Sequence, residues 1–87
     1  MAWTLEYDVD ARKQLRKLPL HVGNRILDAL EELAAVDNPC IKGRAMAGQY
    51  GGHWRYRVGD YRVIARIEDG RMVIVVVTLG HRREVYR

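Results

Sequence analysis

Residues 54–79 read WRYRVGDYRVIARIEDGRMVIVVVTL, and two turn signals divide this stretch. Gly59-Asp60 has glycine first, as a type II′ turn prefers, and Asp69-Gly70 is a type I′ signature. Three antiparallel strands are therefore predicted, Trp54 to Val58, Tyr61 to Glu68 and Arg71 to Leu79. The last is apolar on both faces, as expected of a strand in the middle of a covered sheet. A two-residue turn sets register, so Val58 should oppose Tyr61, Arg57 should oppose Arg62, Tyr56 Val63, and Arg55 Ile64. By the same rule Glu68 should oppose Arg71, Ile64 Val75, Arg62 Val77 and Tyr61 Thr78.

These registers sort the side chains. Trp54, Tyr56, Val58, Tyr61, Val63, Ala65 and Ile67 fall on one face, a bed for helices, and Arg55, Arg57, Arg62, Ile64 and Arg66 on the other. Directly opposed like charges cost about 0.2 to 1 kcal/mol when nothing compensates them. The Arg57/Arg62 pair thus asks for an anion. The segment that follows, GHRREVYR, residues 80–87, should leave the sheet beside the Gly59-Asp60 turn and bring Arg82, Arg83 and Tyr86 to the same place.

Upstream, Trp3, Leu5 and Tyr7 alternate with polar residues in the period of a half-buried strand. Asp8 or Asp10 can cap a helix in which Ala11, Leu15 and Leu18 share a face. Pro19 ends it and opens a second helix, Leu20 to about Val36, with a stripe of Val22, Ile26, Leu27, Leu30 and Leu33, stopped by Asp37-Asn38-Pro39. Residues 40–53, with four glycines and no period, read as a loop. The expected fold is α+β: an N-terminal strand and a two-helix hairpin packed on one face of a mostly antiparallel four-stranded sheet, a single domain over residues 1–87.

A chain of 87 residues with 48% hydrophobic content suits one small core. Its formal charge of +4 is unevenly placed. Residues 1–52 hold 7 Lys/Arg against 7 Asp/Glu, whereas residues 53–87 hold 8 Arg against 4 acids. Arginine's planar fork matches phosphate oxygens, so a polyanion partner is expected. The single cysteine, Cys40, permits no intramolecular disulfide and reads as a space-filler. With no secretory leader or membrane-spanning stretch, a cytoplasmic location without membrane association is expected.

No grouped carboxylates lie near the arginines, which argues against a two-metal phosphodiesterase, and no glycine-rich loop precedes a helix and lysine as in a P-loop. Neither a metal nor another cofactor is called for. RNA carries its own nucleophile, the 2′-hydroxyl. A catalyst must orient it, stabilise charge on the transition state and move two protons. Arginines serve the second task but keep their protons. Tyr86, beside positive charge, is the better candidate base, and His81 a candidate acid toward the leaving 5′-oxygen.

The order of strand, two helices, WRYRVGDYRVIARI and MVIVVVTLGHRREVY resembles the RelE/ParE superfamily of toxins from bacterial and archaeal toxin-antitoxin modules, and within it the RelE branch. The likeness runs from about Trp3 to Tyr86, and its most specific pieces are GDYRV and LGHRREVY. It implies a RelE-like fold and a ribosome-dependent endoribonuclease that enters the A site of the 70S ribosome and cuts mRNA, leaving a 2′,3′-cyclic phosphate and a 5′-hydroxyl. Carried over by position, the resemblance makes Arg55, Arg57 and Arg62 phosphate stabilisers. It makes Arg82 an acid or charge stabiliser and Tyr86 a base or stacking group; Arg66, Arg83 and Arg87 are expected RNA contacts. It also implies an acidic, RelB-like antitoxin. Two departures stand out: Arg55 and Arg57 occupy places where some members have lysines, and the family's final helix is reduced or absent. A ParE-like gyrase inhibitor and a noncatalytic ribosomal RNA-binding module are the alternatives.

Overall fold

The computed structural model describes residues 3–85. In chain order the elements are β1 (Thr4–Tyr7), α1 (Val9–Lys17), α2 (Leu20–Ala35), β2 (Arg44–Ala45), β3 (Trp54–Val58), β4 (Tyr61–Glu68) and β5 (Val73–His81), with short 3₁₀ turns at Pro39–Lys42, Gly48–Tyr50 and Asp69–Arg71. The sheet has five strands in the order β1-β5-β4-β3-β2, with β1 parallel to β5 and every other neighbour antiparallel. It is the expected α+β architecture with one more strand, since two residues of the presumed loop, Arg44 and Ala45, pair with β3.

Apolar periodicity accounts for the helices. Ala11 is fully buried and Leu15 and Leu18 pack beside it, while α2 buries Ile26, Leu30, Leu33 and Ala34 against Tyr56, Val63, Ala65, Ile74, Val76 and Leu79 of the sheet. Leu27, expected in the stripe, is instead 37% exposed, having fallen outside the face that meets the sheet. Gly23 is buried at the helix crossing, where an added Cβ would stand 3.9 Å from the Leu15 carbonyl, so the two helices approach closely there. Asp8 occupies the N-cap of α1 without a side-chain capping bond. Asp10 instead accepts from the Thr78 hydroxyl, tying α1 to β5. Trp3 closes the far side, its backbone N–H bonding the Ala34 carbonyl at 3.0 Å and its indole the Asp37 carbonyl at 3.3 Å.

The first hairpin has the predicted register, with Arg57 against Arg62 and Val58 against Tyr61, and Gly59 takes the positive φ of 58° that a primed turn needs. The second hairpin differs. Asp69 to Met72 form a four-residue connection, with Met72 in the left-handed region at φ 52°, and Glu68 opposes Val73 rather than Arg71. A shift of two residues keeps each side chain on its face, so alternation cannot distinguish the two registers. Arg71 is thereby released from the ladder to bridge Glu68 at 2.6 Å and Glu6 at 3.3 Å. A bulge between Ile64 and Ala65 then adds one residue to β5: Thr78 opposes Ile64, Leu79 opposes Val63 in the core, Gly80 opposes Arg62, and His81 opposes Tyr61. The predicted pairings of Ile64 with Val75, Arg62 with Val77 and Tyr61 with Thr78 are each displaced by three residues, two from the longer turn and one from the bulge.

Candidate phosphate-binding cleft

Away from the helices, a cleft of about 500 Å³ opens at the end of the sheet that carries the Gly59-Asp60 turn. Every described side chain that lines it is basic. Arg55 and Arg57 come from β3 and Arg62 from β4, Arg82 and Arg83 from the turns after β5, and Lys42 and Arg44 from the chain before β3. Among the described residues no carboxylate, imidazole or thiol lines the cleft.

Backbone bonds build this convergence. The predicted Arg57/Arg62 opposition is present, and β2 adds a second one, Arg44 against Arg55. The Arg62 guanidinium donates through Nη1 to the carbonyls of Gly59 at 3.1 Å and Tyr61 at 3.0 Å, which fixes one edge of its fork at the turn. Across the ladder from Arg62 lies Gly80, with no side chain to crowd it. The Arg82 N–H donates to the Asp60 carbonyl at 2.8 Å, so the C-terminal segment is tied to the hairpin turn. The N–H groups of Glu84 and Val85 bond the His81 carbonyl at 2.8 and 3.0 Å, and Val85 is buried. Arg82 and Arg83 thereby project from a bonded turn.

Lys42 and Arg44 have their own clamp. Asn38 caps the Pro39–Lys42 turn by accepting from the Cys40 N–H at 3.1 Å, and the Tyr56 hydroxyl donates to the Pro39 carbonyl at 2.9 Å. Burial pushes the Tyr56 phenol well above its usual range, which keeps the group a donor. Gly43, between the two cations, lies flat on the Tyr56 ring. A Cβ there would come within 2.7 Å of the ring and 3.0 Å of the Arg55 carbonyl, so only glycine permits this approach. Burial also raises the neighbouring Cys40 thiol, with Asp69 adding to the effect, as suits a space-filling cysteine.

The remaining expected site residues lie elsewhere. Arg66 stands at the opposite end of β4, paired with Glu68 at 3.1 Å, and does not line the cleft. The His81 ring packs edge-on against Tyr61 at 5.6 Å, its Nδ1 facing the Arg83 N–H at 3.2 Å, outside the cleft lining. Tyr86 and Arg87 lie outside the described residues. Conversely, the sequence reading missed Lys42 and Arg44, because a two-residue strand has no period to detect; the single available signal was another Lys/Arg pair bracketing a glycine.

A family profile described as the ParE toxin of the type II toxin-antitoxin system parDE matches residues 5–86. Toxin RelG of Mycobacterium tuberculosis is 33% identical over 90 residues, an alignment spanning 100% of this chain and 99% of that protein. The fold is similar to a chain in the crystal structure of the M. tuberculosis toxin-antitoxin complex RelBE2, with a TM-score of 0.72 and 32% identity over 94% of this chain and 100% of the other. A chain of the archaeal RelE-RelB complex from Pyrococcus horikoshii superposes with a TM-score of 0.74 at 25% identity, covering 98% of this chain and 100% of that one.

Proposed function

The chain belongs to the ParE toxin family of type II toxin-antitoxin systems, within the RelE/ParE superfamily, and from that premise we propose that it is a RelE-type, ribosome-dependent endoribonuclease that cuts mRNA in the ribosomal A site. The observation that carries this reading is the cleft itself: cations from four separate parts of the chain face one space of about 500 Å³. Mutual repulsion in such a cluster is relieved when a polyanion enters, and bidentate guanidinium-phosphate bonds strengthen as charge gathers on the phosphoryl oxygens.

In this mechanism the ribosome presents the mRNA, and Arg55, Arg57, Arg62 and Arg82 surround the scissile phosphate. The 2′-oxygen attacks in line, a 2′,3′-cyclic phosphate forms, and the 5′-oxygen departs. Tyr86 acts as base toward the 2′-hydroxyl, while Arg83 and Arg87 hold neighbouring phosphates. Arg66 is a phosphate contact only if RNA extends along β4 and displaces Glu68 from it. His81 acts through position, holding the Arg83 backbone and packing on Tyr61.

An antitoxin partner fits the same surface. The RelBE2 and archaeal RelE-RelB structures are toxin-antitoxin complexes, and an acidic, RelB-like segment would neutralise the cleft in the resting state. Such binding should weaken steeply with salt. No helix among the described residues is long and apolar enough to cross a membrane.

Primer extension on programmed ribosomes tests the proposal. Added protein should produce new 3′ ends at A-site codons. Uncut mRNA together with blocked DNA supercoiling would replace this reading with gyrase inhibition, and uncut mRNA with retained ribosome binding would leave a noncatalytic RNA-binding module.

A further inference from the structure

Cleavage of an RNA linkage needs a proton for the departing 5′-oxygen, and guanidinium groups do not release theirs at any working pH. Among the described residues, all but one of the side chains lining the cleft are guanidinium groups; the exception is the ammonium of Lys42. The His81 imidazole, which could carry such a proton, lies on Tyr61 and outside the cleft lining. Resting on the endonuclease reading above, we propose that Lys42 is the general acid, donating from Nζ to the 5′-oxygen of the leaving nucleotide.

Three features equip Lys42 for the role. It ends the Pro39–Lys42 turn, whose carbonyl at Pro39 is held by Tyr56 and whose N-terminus is capped by Asn38, so its backbone is fixed against β3. The next residue, Gly43, presses on the Tyr56 ring at a distance that bars a side chain. Lys42 also borders a notch of about 170 Å³ between α2 and β3, where Leu30, Leu33 and Val58 offer its methylene stem an apolar wall and Glu32 and Arg57 supply the charged part of the rim. The side chain remains exposed, so water can recharge it after each turnover.

The step balances as follows. The 2′-oxygen forms its bond to phosphorus and passes its proton to the phenolate form of Tyr86. The bond between phosphorus and the 5′-oxygen breaks, its electron pair goes to that oxygen, and a proton from Lys42 Nζ neutralises it. Exchange with water then takes the proton from Tyr86 and returns one to the neutral amine of Lys42, which closes the cycle.

The test compares Lys42→Arg and Lys42→Ala with the unaltered protein in single-turnover cleavage on programmed ribosomes. It uses ordinary mRNA and mRNA with sulfur replacing the 5′-bridging oxygen at the cut linkage. Both variants should cut the ordinary message slower by on the order of 100-fold, the usual contribution of a positioned acid. Both should cut the sulfur-linked message within a few-fold of the unaltered protein, because a thiolate leaves without a proton. Full activity of Lys42→Arg on the ordinary message would reduce Lys42 to a charge and overturn the proposal. An equal loss on both messages would overturn it in favour of a binding role. If the unaltered protein cuts neither message, the endonuclease reading itself falls.

Discussion

The two ends of one strand hold arginines in opposite circumstances. At the end of β4 near Asp69, Arg66 pairs with Glu68, which also takes Arg71, and Arg71 reaches on to Glu6. At the other end Arg62 faces Arg57 across the ladder, and among the described residues the cleft they share has no acidic side chain on its wall. Both ends are exposed to solvent, where single ion pairs contribute little. The contrast therefore says less about stability than about use. At one end opposite charges are matched within the fold; at the other, like charges are gathered around a cleft that a ligand can enter.

The largest effect should come from removing a cleft cation. Arg62→Ala and Arg82→Ala should each lower mRNA cleavage by roughly 100- to 1,000-fold, as losing a preorganised charge-stabilising donor does, while Arg66→Ala should change it less than several-fold. Equal losses in all three variants, measured by primer extension, would erase the distinction between the two ends. Next in size is the clamp beneath Lys42 and Arg44. Gly43→Ala forces a methyl into the Tyr56 ring and should destabilise the protein by about 1 to 3 kcal/mol in a urea melt.

A smaller effect of the opposite sign is expected at the repulsive pair. Arg57→Glu places opposite charges across the ladder from Arg62 and should stabilise the free protein by about 0.2 to 1 kcal/mol while abolishing cleavage. An unchanged or lower melting temperature would mean that the opposed arginines carry no cost. The smallest effect is at the paired end. Hydrogen bonds from Arg71 and then Arg66 hold the Glu68 carboxyl below its usual range. A lowered carboxylate stabilises the fold above its ordinary pKa, and that contribution ebbs as pH falls through the folded value. Urea midpoints should therefore decline on acidification by more in the unaltered protein than in Glu68→Gln.

Much of this was legible beforehand. Gly59-Asp60 fixes the first hairpin because a two-residue primed turn admits one register, and the Arg57/Arg62 opposition follows from it. The second hairpin was misread because both registers bury the same side chains, and a bulge within an unbroken apolar run leaves no mark on the pattern. Arg44 was invisible as a strand residue, since its pairing depends on Tyr56 drawing the preceding turn onto β3.

Local chemistry in the sequence, the turn residues, the apolar periods and an arginine surplus toward the C-terminus, determined the architecture and which cations oppose each other across the first hairpin. Long-range contacts alone decided that Lys42 and Arg44 join them, that His81 turns aside to Tyr61, and that Arg66 is paired away from the cleft. The physical reason is reach: a turn or an alternation acts over a few residues, whereas the meeting of side chains about forty positions apart is settled by the packing of the whole core.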